Sequence, residues 1–338
     1  MSLCFQYGSP RSAGKRAAAL LGFALLPGLR ADAAPGSVTT TEAGVPRRAA
    51  REIALTFDDA PRSAGGFFSA DERAERLIAG LEKAGVDEAM FFVKTGGIRT
   101  PDDAERLRRY TRAGHRLANH SHSHGWLNRT DADEYIADIG EAARVLEGYD
   151  NVDRFYRFPF LDEGRTVAKR DAVREALDRL GLVHGYVTVD NYDWHLAGRA
   201  KSAKRDGLDV DLDALREVYL EHLLESVEFY DAIAREHLDR SPRHVLLLHE
   251  NDLAALFVED LVRALREAGW TIIGAREAYD DPIAVRLPDT LFNGQGRVAA
   301  IAHAAGALAR SLVQASEDEA YLDDLLAERG VFVGATAP

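Results

Sequence analysis

Two adjacent carboxylates, Asp58 and Asp59, end an apolar run from Ile53 to Phe57, and Pro61 follows closely. Like charges at short range disfavour each other's ionisation, so something positive should sit between or beside them. Downstream, His120 and His124 stand in a His-x-x-x-His spacing. Read on a helix, this places two imidazoles one turn apart on the same face, which suits a single metal ion. Two histidines plus one aspartate make a three-ligand site with room for water, the arrangement of a catalytic rather than a structural metal. His122, between the pair, should point elsewhere. Arg157 is a second cation that can hold a neighbouring carboxylate ionised. Further polar groups end apolar runs at Asp190 to Trp194, and at His249 after Leu246, Leu247 and Leu248. A histidine following three leucines is by default a core residue, but polar groups at five such ends make coincidence a poor explanation.

Chemistry of this kind needs a scaffold that brings strand ends together. Strand-like runs recur at 53–59, 89–95, 115–121, 154–160, 184–191, 244–250 and 271–276, with helical stretches between them at 71–84, 102–113, 131–147, 169–180 and 255–268. Alternation of this kind means parallel βα units, whose chemistry collects at the carboxyl ends of the strands. Seven units predict a barrel, or a nearly closed one, rather than an open doubly wound sheet. No Gly-x-Gly-x-x-Gly follows the first strand, which argues against dinucleotide binding. Residues 209–238 carry Leu212, Leu215, Tyr219, Leu223, Tyr230 and Ile233 at near-helical spacing, predicting a long amphipathic helix inserted between the fifth and sixth strands. Residues 286–338 form a C-terminal extension with helices predicted near 297–313 and 317–328, packing on the barrel or on a partner.

The chain has 338 residues, 46% of them hydrophobic, and a formal charge of −13. It can therefore bury a sizeable core, and a nucleic-acid partner is not expected. Arg11, Lys15 and Arg16 precede an apolar stretch from Ala17 to Leu29, and a small-x-small pattern follows at Ala31 to Ala33. This predicts a secretory signal peptide over residues 1–33, cleaved near Ala33, and a periplasmic or secreted protein without a stable membrane anchor. The single cysteine, Cys4, would leave with that peptide, so no disulfide is expected. Residues 34–52 are read as an extended lead-in to the barrel domain at 53–285.

Thr56-Phe57-Asp58-Asp59, the His120 and His124 pair after Asn119, Arg157-x-Pro159-Phe160, Asp193-Trp194 and Leu246-x-Leu248-His249 resemble, in order and spacing, the five motifs of the polysaccharide deacetylases, carbohydrate esterase family four. The resemblance spans residues 53–276. It implies an α/β fold, a distorted seven-stranded (β/α) barrel of TIM-barrel-like form, here with the helical insertion and the C-terminal helical extension. It implies one divalent metal, zinc first with cobalt, nickel or iron as alternatives, held by Asp59, His120 and His124. Asp58 would be the general base, tethered by Arg157, and His249 the general acid, tuned by Asp193. The Phe160 N–H would hold the oxyanion, and Trp194 and Leu247 would line the acetyl pocket. Departures from the family pattern stand at Ala60, Gly125, Phe160 and Glu250, and they bear on substrate fit rather than on ligands or proton carriers.

The expected activity is metal-dependent removal of acetyl groups from an N-acetylated glycan, with O-acetyl groups open as well. Two other enzymes were weighed. One is a small-molecule amidase resembling the allantoinase-like members, which the signal peptide opposes. The other is a two-metal amidohydrolase using His120-x-His122, which would need that pair on the first strand. A non-catalytic glycan-binding protein should have lost Asp58 or His249, and both are present.

Overall fold

The computed structural model describes residues 51–334; the expected signal peptide and nearly all of the lead-in lie outside the described residues. The sheet is built outward from strand β1, Arg51–Ala60, whose apolar positions from Ile53 to Leu55 and at Phe57 are fully buried. On one edge β1 pairs in parallel with β2 (Met90–Val93), which leads on to β3 (Arg116–Asn119), β4 (Val152–Tyr156) and β5 (Val183–His184). A two-residue strand, β6 (Asp209–Val210), lies outside this sheet. β7 (His244–His249) pairs with β1 from Ile53 to Asp58, and β8 (Trp270–Ile272) pairs with its first residues. The result is one seven-stranded parallel sheet, buried on both faces as βα connections require. A single bridge from Val189 to Leu246 extends the β5 end of the sheet toward β7 and brings the barrel close to closure.

The helices follow the sequence pattern closely. α1 (Ala70–Lys83) and α2 (Pro101–Arg112) each open on a capping box, Ser69 with Glu72 and Thr100 with Asp103, so their first-turn N–H groups are satisfied locally. α3 (Ala132–Leu146) and α4 (Val167–Leu180) pack over a small apolar cluster that includes Tyr135, Ile139, Tyr156, Phe158 and Val173. α5 (Asp193–Arg205) starts where the sequence pattern indicated the end of a strand. The inserted helix, α6 (Leu212–Leu238), buries Leu215, Tyr219, Leu223, Tyr230 and Ile233 along one side, as its periodicity requires. α7 (Asp252–Glu267) buries an apolar stripe from Leu253 to Leu265 and packs against α1 and β8. α8 (Ala275–Tyr279) occupies part of the run read as the seventh strand, and its Tyr279 ring stacks on Phe155 of β4 at 4.2 Å. In the extension, α9 (Gly296–Ala304) ends well before residue 313, because Gly306 takes a φ of +101° and turns the chain. α10 (Glu319–Glu328) follows, and β9 (Phe332–Val333) pairs antiparallel with β6. Insertion and extension therefore support each other.

Two strand expectations need correction. The fourth strand stops at Tyr156 rather than 160, because Phe160 and Leu161 adopt positive φ and take the chain out of the ladder. The fifth pairs only at residues 183–184, and 185–191 continues beside β7 with little ladder bonding.

The loop leaving β1 is held by a buried ionic cluster. The Arg73 guanidinium, almost wholly enclosed, donates to Glu250, to Asp252 and to the carbonyls of Arg62 and Ser63, while the Tyr110 hydroxyl donates to Glu250. Glu250 and Asp252 also accept the backbone N–H groups of Arg62, Gly66 and Phe67. Removing one member strands the others without water, so Arg73→Met should cost about 3 to 5 kcal/mol in urea unfolding. A loss below about 1 kcal/mol would show that the cluster is not what holds this loop.

Candidate active site

Alternation along a strand should send Asp58 and Asp59 to opposite faces. The β1–β2 register shifts between Phe57 and Ala60, and Asp59 takes a φ of +70°. This bulge turns both carboxylates toward the cleft at the strand ends. The β1–β7 ladder sets Asp58 directly beside His249. The two candidate proton carriers are thus adjacent rungs of one sheet.

The expected cation beside the carboxylates is supplied twice. The Arg157 guanidinium, fully buried just beyond β4, donates to Asp58 Oδ1 at 2.6 Å. Its other N–H groups reach Thr56 Oγ1 at 2.9 Å, the Gly185 carbonyl at 2.8 Å and the Tyr279 hydroxyl at 2.9 Å, and it lies 3.7 Å over the Phe92 ring. Arg62 donates to Asp59 Oδ2 at 3.1 Å. Burial raises the Asp59 pKa, but His124, His249, His120 and Arg62 together outweigh it and hold the carboxylate well below its usual range.

His120 and His124 come together with Asp59, but not on a helix. Residues 120–124 form a loop in which Ser121 and His124 take φ of +68° and +62°. Asn119 Oδ1 accepts from the Ser121 N–H, Ser121 Oγ accepts from the His124 N–H, and Asp138 accepts the N–H groups of His122 and Ser123. Short polar side chains compete with helical hydrogen bonding in this way, which is why the helical reading of the spacing fails. One atom from each of Asp59, His120 and His124 lies within 4.8 Å of the others. His122 turns away and bonds Thr95 Oγ1 through Nδ1 at 3.0 Å.

The residues present fit a metal. Asp59 Oδ1 is buried without a hydrogen-bond partner among the described residues, 3.3 Å from His124 Nε2 and 3.9 Å from His120 Nε2. His120 Nδ1 sits 3.0 Å from the Arg157 carbonyl, a bond that requires a proton on Nδ1 and leaves Nε2 a lone pair. Burial lowers the His124 pKa to about 4, so its imidazole is neutral as a ligand must be.

On the other side, His249 Nδ1 lies 2.6 Å from Asp193 Oδ1. Asp193 is the first residue of α5, where the helix dipole favours an anion, and its Oδ2 accepts from the His249 N–H and from Asn251 Nδ2. Burial opposes charge on His249, yet Asp193 and, less strongly, Asp59 and Asp58 raise its pKa above the ordinary value.

Asp58, Asp59, Arg62, His120, His124 and His249 line one cleft of about 430 Å³, within the range of small-molecule sites, while Arg157 and Asp193 are buried outside its lining. Phe160, more than half exposed with a φ of +59°, Trp194 and Leu247 line it too. The ring of Phe160 stands edge-on to His124 at 4.8 Å. Sequence reasoning missed Arg62, Leu161, Gly294 and Gln295 in this lining, and it marked Asp190 and Tyr192 only as part of the polar strand end at 190–194, with no role of their own. Arg62 carried a signal, since it follows the Asp-Asp turn directly. The contribution of residues 294 and 295, more than forty positions beyond the last motif, carried none.

The model of the polysaccharide deacetylase family matches residues 46–183. Among solved structures the chain is similar to a family 4 carbohydrate esterase from Streptomyces lividans in complex with acetate (20% identity, covering 67% of this chain and 95% of that one, TM-score 0.45). It is also similar to the peptidoglycan deacetylase PdaC from Bacillus subtilis (19%, 69% and 91%, TM-score 0.42) and to a family 4 pseudoenzyme from Bacillus anthracis (18%, 69% and 66%, TM-score 0.47). A search of the curated proteins finds no match.

Because Asp193 raises the His249 pKa, the stabilisation from their pairing is full below the unfolded histidine value and fades as pH rises through the folded one. In Asp193→Asn, His249 should titrate at lower pH than in the wild-type protein when followed by NMR. Unchanged titration would mean that Asp193 does not set it.

Proposed function

We propose that this chain is a metal-dependent hydrolase that removes acetyl groups from an N-acetylated polysaccharide, O-acetyl groups being within reach of the same chemistry. The observation that carries this reading is the pairing of Asp58 with His249 on neighbouring strand ends, each tied to its own partner, beside the Asp59, His120 and His124 cluster. Asp59, His120 and His124 would hold one divalent ion, zinc first among those that suit imidazole and carboxylate ligands. When bound, that ion supplies a lowered pKa for water and polarisation of the acyl oxygen.

The rest falls to side chains and one amide of this chain. Asp58, its Oδ1 fixed by Arg157, takes the proton of the attacking water, and its Oδ2 faces His120 Nε2 at 3.6 Å. The Phe160 N–H donates to the acyl oxygen as negative charge grows there. His249, kept cationic by Asp193, delivers its Nε2 proton to the leaving nitrogen. Leu247 and Trp194 close around the acetyl methyl and keep water off the bond being broken. The basic, apolar and small-residue pattern of residues 1–33 supports action in the periplasm or outside the cell. No helix among the described residues is long and apolar enough to cross a membrane.

The test is acetate release by the metal-loaded protein from tetra-N-acetylchitotetraose, peptidoglycan and acetylxylan. Asp58→Asn should lower kcat by roughly a hundredfold or more on whichever glycan is cleaved, and a chelator should abolish turnover reversibly. Absence of acetate from every glycan, despite stoichiometric metal, would overturn the proposal. His120→Ala should separately lose bound metal as measured by elemental analysis. Retention at wild-type stoichiometry would remove His120 from the ligand set.

A further inference from the structure

One wall of the cleft is built by the C-terminal extension, beyond the residues that the family model matches. The turn before α9 is stitched to the barrel at both ends: Gly294 N–H donates to the Leu161 carbonyl and Arg297 N–H to the Val187 carbonyl. Gly296 has a φ of +78°, and a Cβ there would stand 2.7 Å from the Val187 oxygen, so this approach needs glycine. The close contact fixes Gln295 in the cleft lining, across from the Asp58 and His249 pair. Trp194, about two-fifths exposed, and Tyr192, with ring centroids 5.1 Å apart, form an aromatic surface in the same lining.

Behind that wall stands a carboxyl pair that the mechanism leaves unused. Asp190, 6% exposed, lines the cleft, and its Oδ1 accepts the Asn191 N–H at 2.8 Å. Glu317, 7% exposed, comes from the segment before α10, and its Oε2 is fully enclosed without a partner among the described residues. The Tyr230 hydroxyl lies 2.6 Å from Glu317 Oε1 and 2.9 Å from Gln295 Oε1. One phenolic proton cannot serve two acceptors, so either Glu317 brings a proton of its own or the Gln295 amide presents its NH₂ to Tyr230. A proton on Glu317 fits its surroundings, because burial raises its pKa to about 7, and burial and Glu317 together push Asp190 up. With Glu317 donating to Tyr230 and Tyr230 to Gln295, the amide NH₂ is free for the cleft and Asp190 keeps an oxygen there.

Resting on the deacetylase reading, we propose that Asp190 and Gln295 form a sugar subsite on the aromatic surface of Tyr192 and Trp194, with Glu317 as the residue that positions them from the C-terminal extension. An acceptor and a donor side by side match the hydroxyls of a neutral sugar ring, whose apolar face lies on the aromatics. The extension thus adds to the cleft a hydrogen-bonding pair suited to the hydroxyls of a sugar ring.

The test compares tetra-N-acetylchitotetraose with 4-nitrophenyl acetate, an ester that carries no sugar. Gln295→Ala and Glu317→Leu should raise KM for the tetramer roughly tenfold, as expected for one or two lost hydrogen bonds, with a much smaller effect on KM for the ester. Glu317→Gln, which keeps shape and hydrogen bonding, should restore the tetramer KM to within about threefold of wild type. Equal losses on both substrates, or an unchanged tetramer KM in Gln295→Ala, would overturn the subsite. Calorimetry on Asp58→Asn separates the two proposals. Tetramer binding weakened by added Gln295→Ala supports the subsite even where the wild-type protein releases no acetate. No tetramer binding by Asp58→Asn overturns the subsite while leaving acetate release to judge the hydrolase.

Discussion

A guanidinium sealed inside a barrel is the constraint around which this site is arranged. Arg157 has no exposed surface, and a cation there without an anion and a full set of acceptors would be intolerable. Asp58 supplies the anion; Thr56, Gly185 and Tyr279 supply the remaining acceptors, and Phe92 supplies a π face. One side chain therefore ties β1, β2, α8 and the segment after β5 to the end of β4. Any shift in those elements would unpair a buried charge. That cost, rather than packing alone, fixes Asp58 with one oxygen against Arg157 and the other toward His120. The same arginine reaches the loop after β3 through its backbone, since its carbonyl orients His120 Nδ1. Base and cluster are thereby registered to each other through a single residue.

Backbone strain is concentrated at the same place. Of the seven non-glycine residues with positive φ among those described, Asp59, Ser121, His124, Phe160 and Leu161 lie in the loops around the cleft. Each such position costs on the order of 1 kcal/mol or more, and it survives only where its surroundings over-determine it. Those surroundings are identifiable here: the Glu250 and Arg73 cluster under the first loop, Asn119 and Asp138 under the second, and the Leu161 carbonyl held by Gly294 under the third. The gain is geometric. A strand offers every second side chain to one face, whereas the left-handed turn at Asp59 lets two consecutive carboxylates share a cleft.

Much of this was legible in the chain itself. The apolar run closing on Asp58 and Asp59 gave the central strand, because a strand buried on both faces has few other ways to be written. The period of 3.6 gave α6, which buries five of the six residues that the spacing selects, Leu212 in its first turn being exposed. Resemblance to known motifs supplied the roles expected of Asp58, Asp59, His249 and Arg157, which spacing alone left open. Local hydrogen bonding was harder to read. The His-x-x-x-His spacing is equally compatible with a helix and with a loop braced by Asn119, Ser121 and Asp138, and only the tertiary position of Asp138 decides between them. The ends of β4 and β5 were overrun for a similar reason: the residues that leave the ladder, Phe158 to Leu161 and Tyr186 to Val189, are as apolar as those inside it. Gln295 and Glu317 belong to no pattern at all, since their significance arises from Gly296 packing against Val187 and from Tyr230 on the inserted helix.

The division of labour along the chain makes the β1–β7 ladder decisive. The stretch matched by the family model contains Asp58, Asp59, His120, His124, Arg157 and Phe160, but Asp193 and His249 lie beyond it. In the proposed reaction, a strand end bearing the base and the ligand cluster would polarise water, yet release of the amine would need a proton donor across the cleft. Six consecutive register pairs, from Ile53 with His244 to Asp58 with His249, deliver that donor. Sliding β7 by one residue would send His249 to the other face of the sheet. Asn191, accepting from the Asp193 N–H and donating to the Leu247 carbonyl, carries the same registration to the start of α5, so Asp193 reaches His249 only when the ladder is correctly aligned. The acid half of the site is thus placed by backbone pairing, and the base half by a buried charge. The cleft is where these two mechanisms of alignment meet.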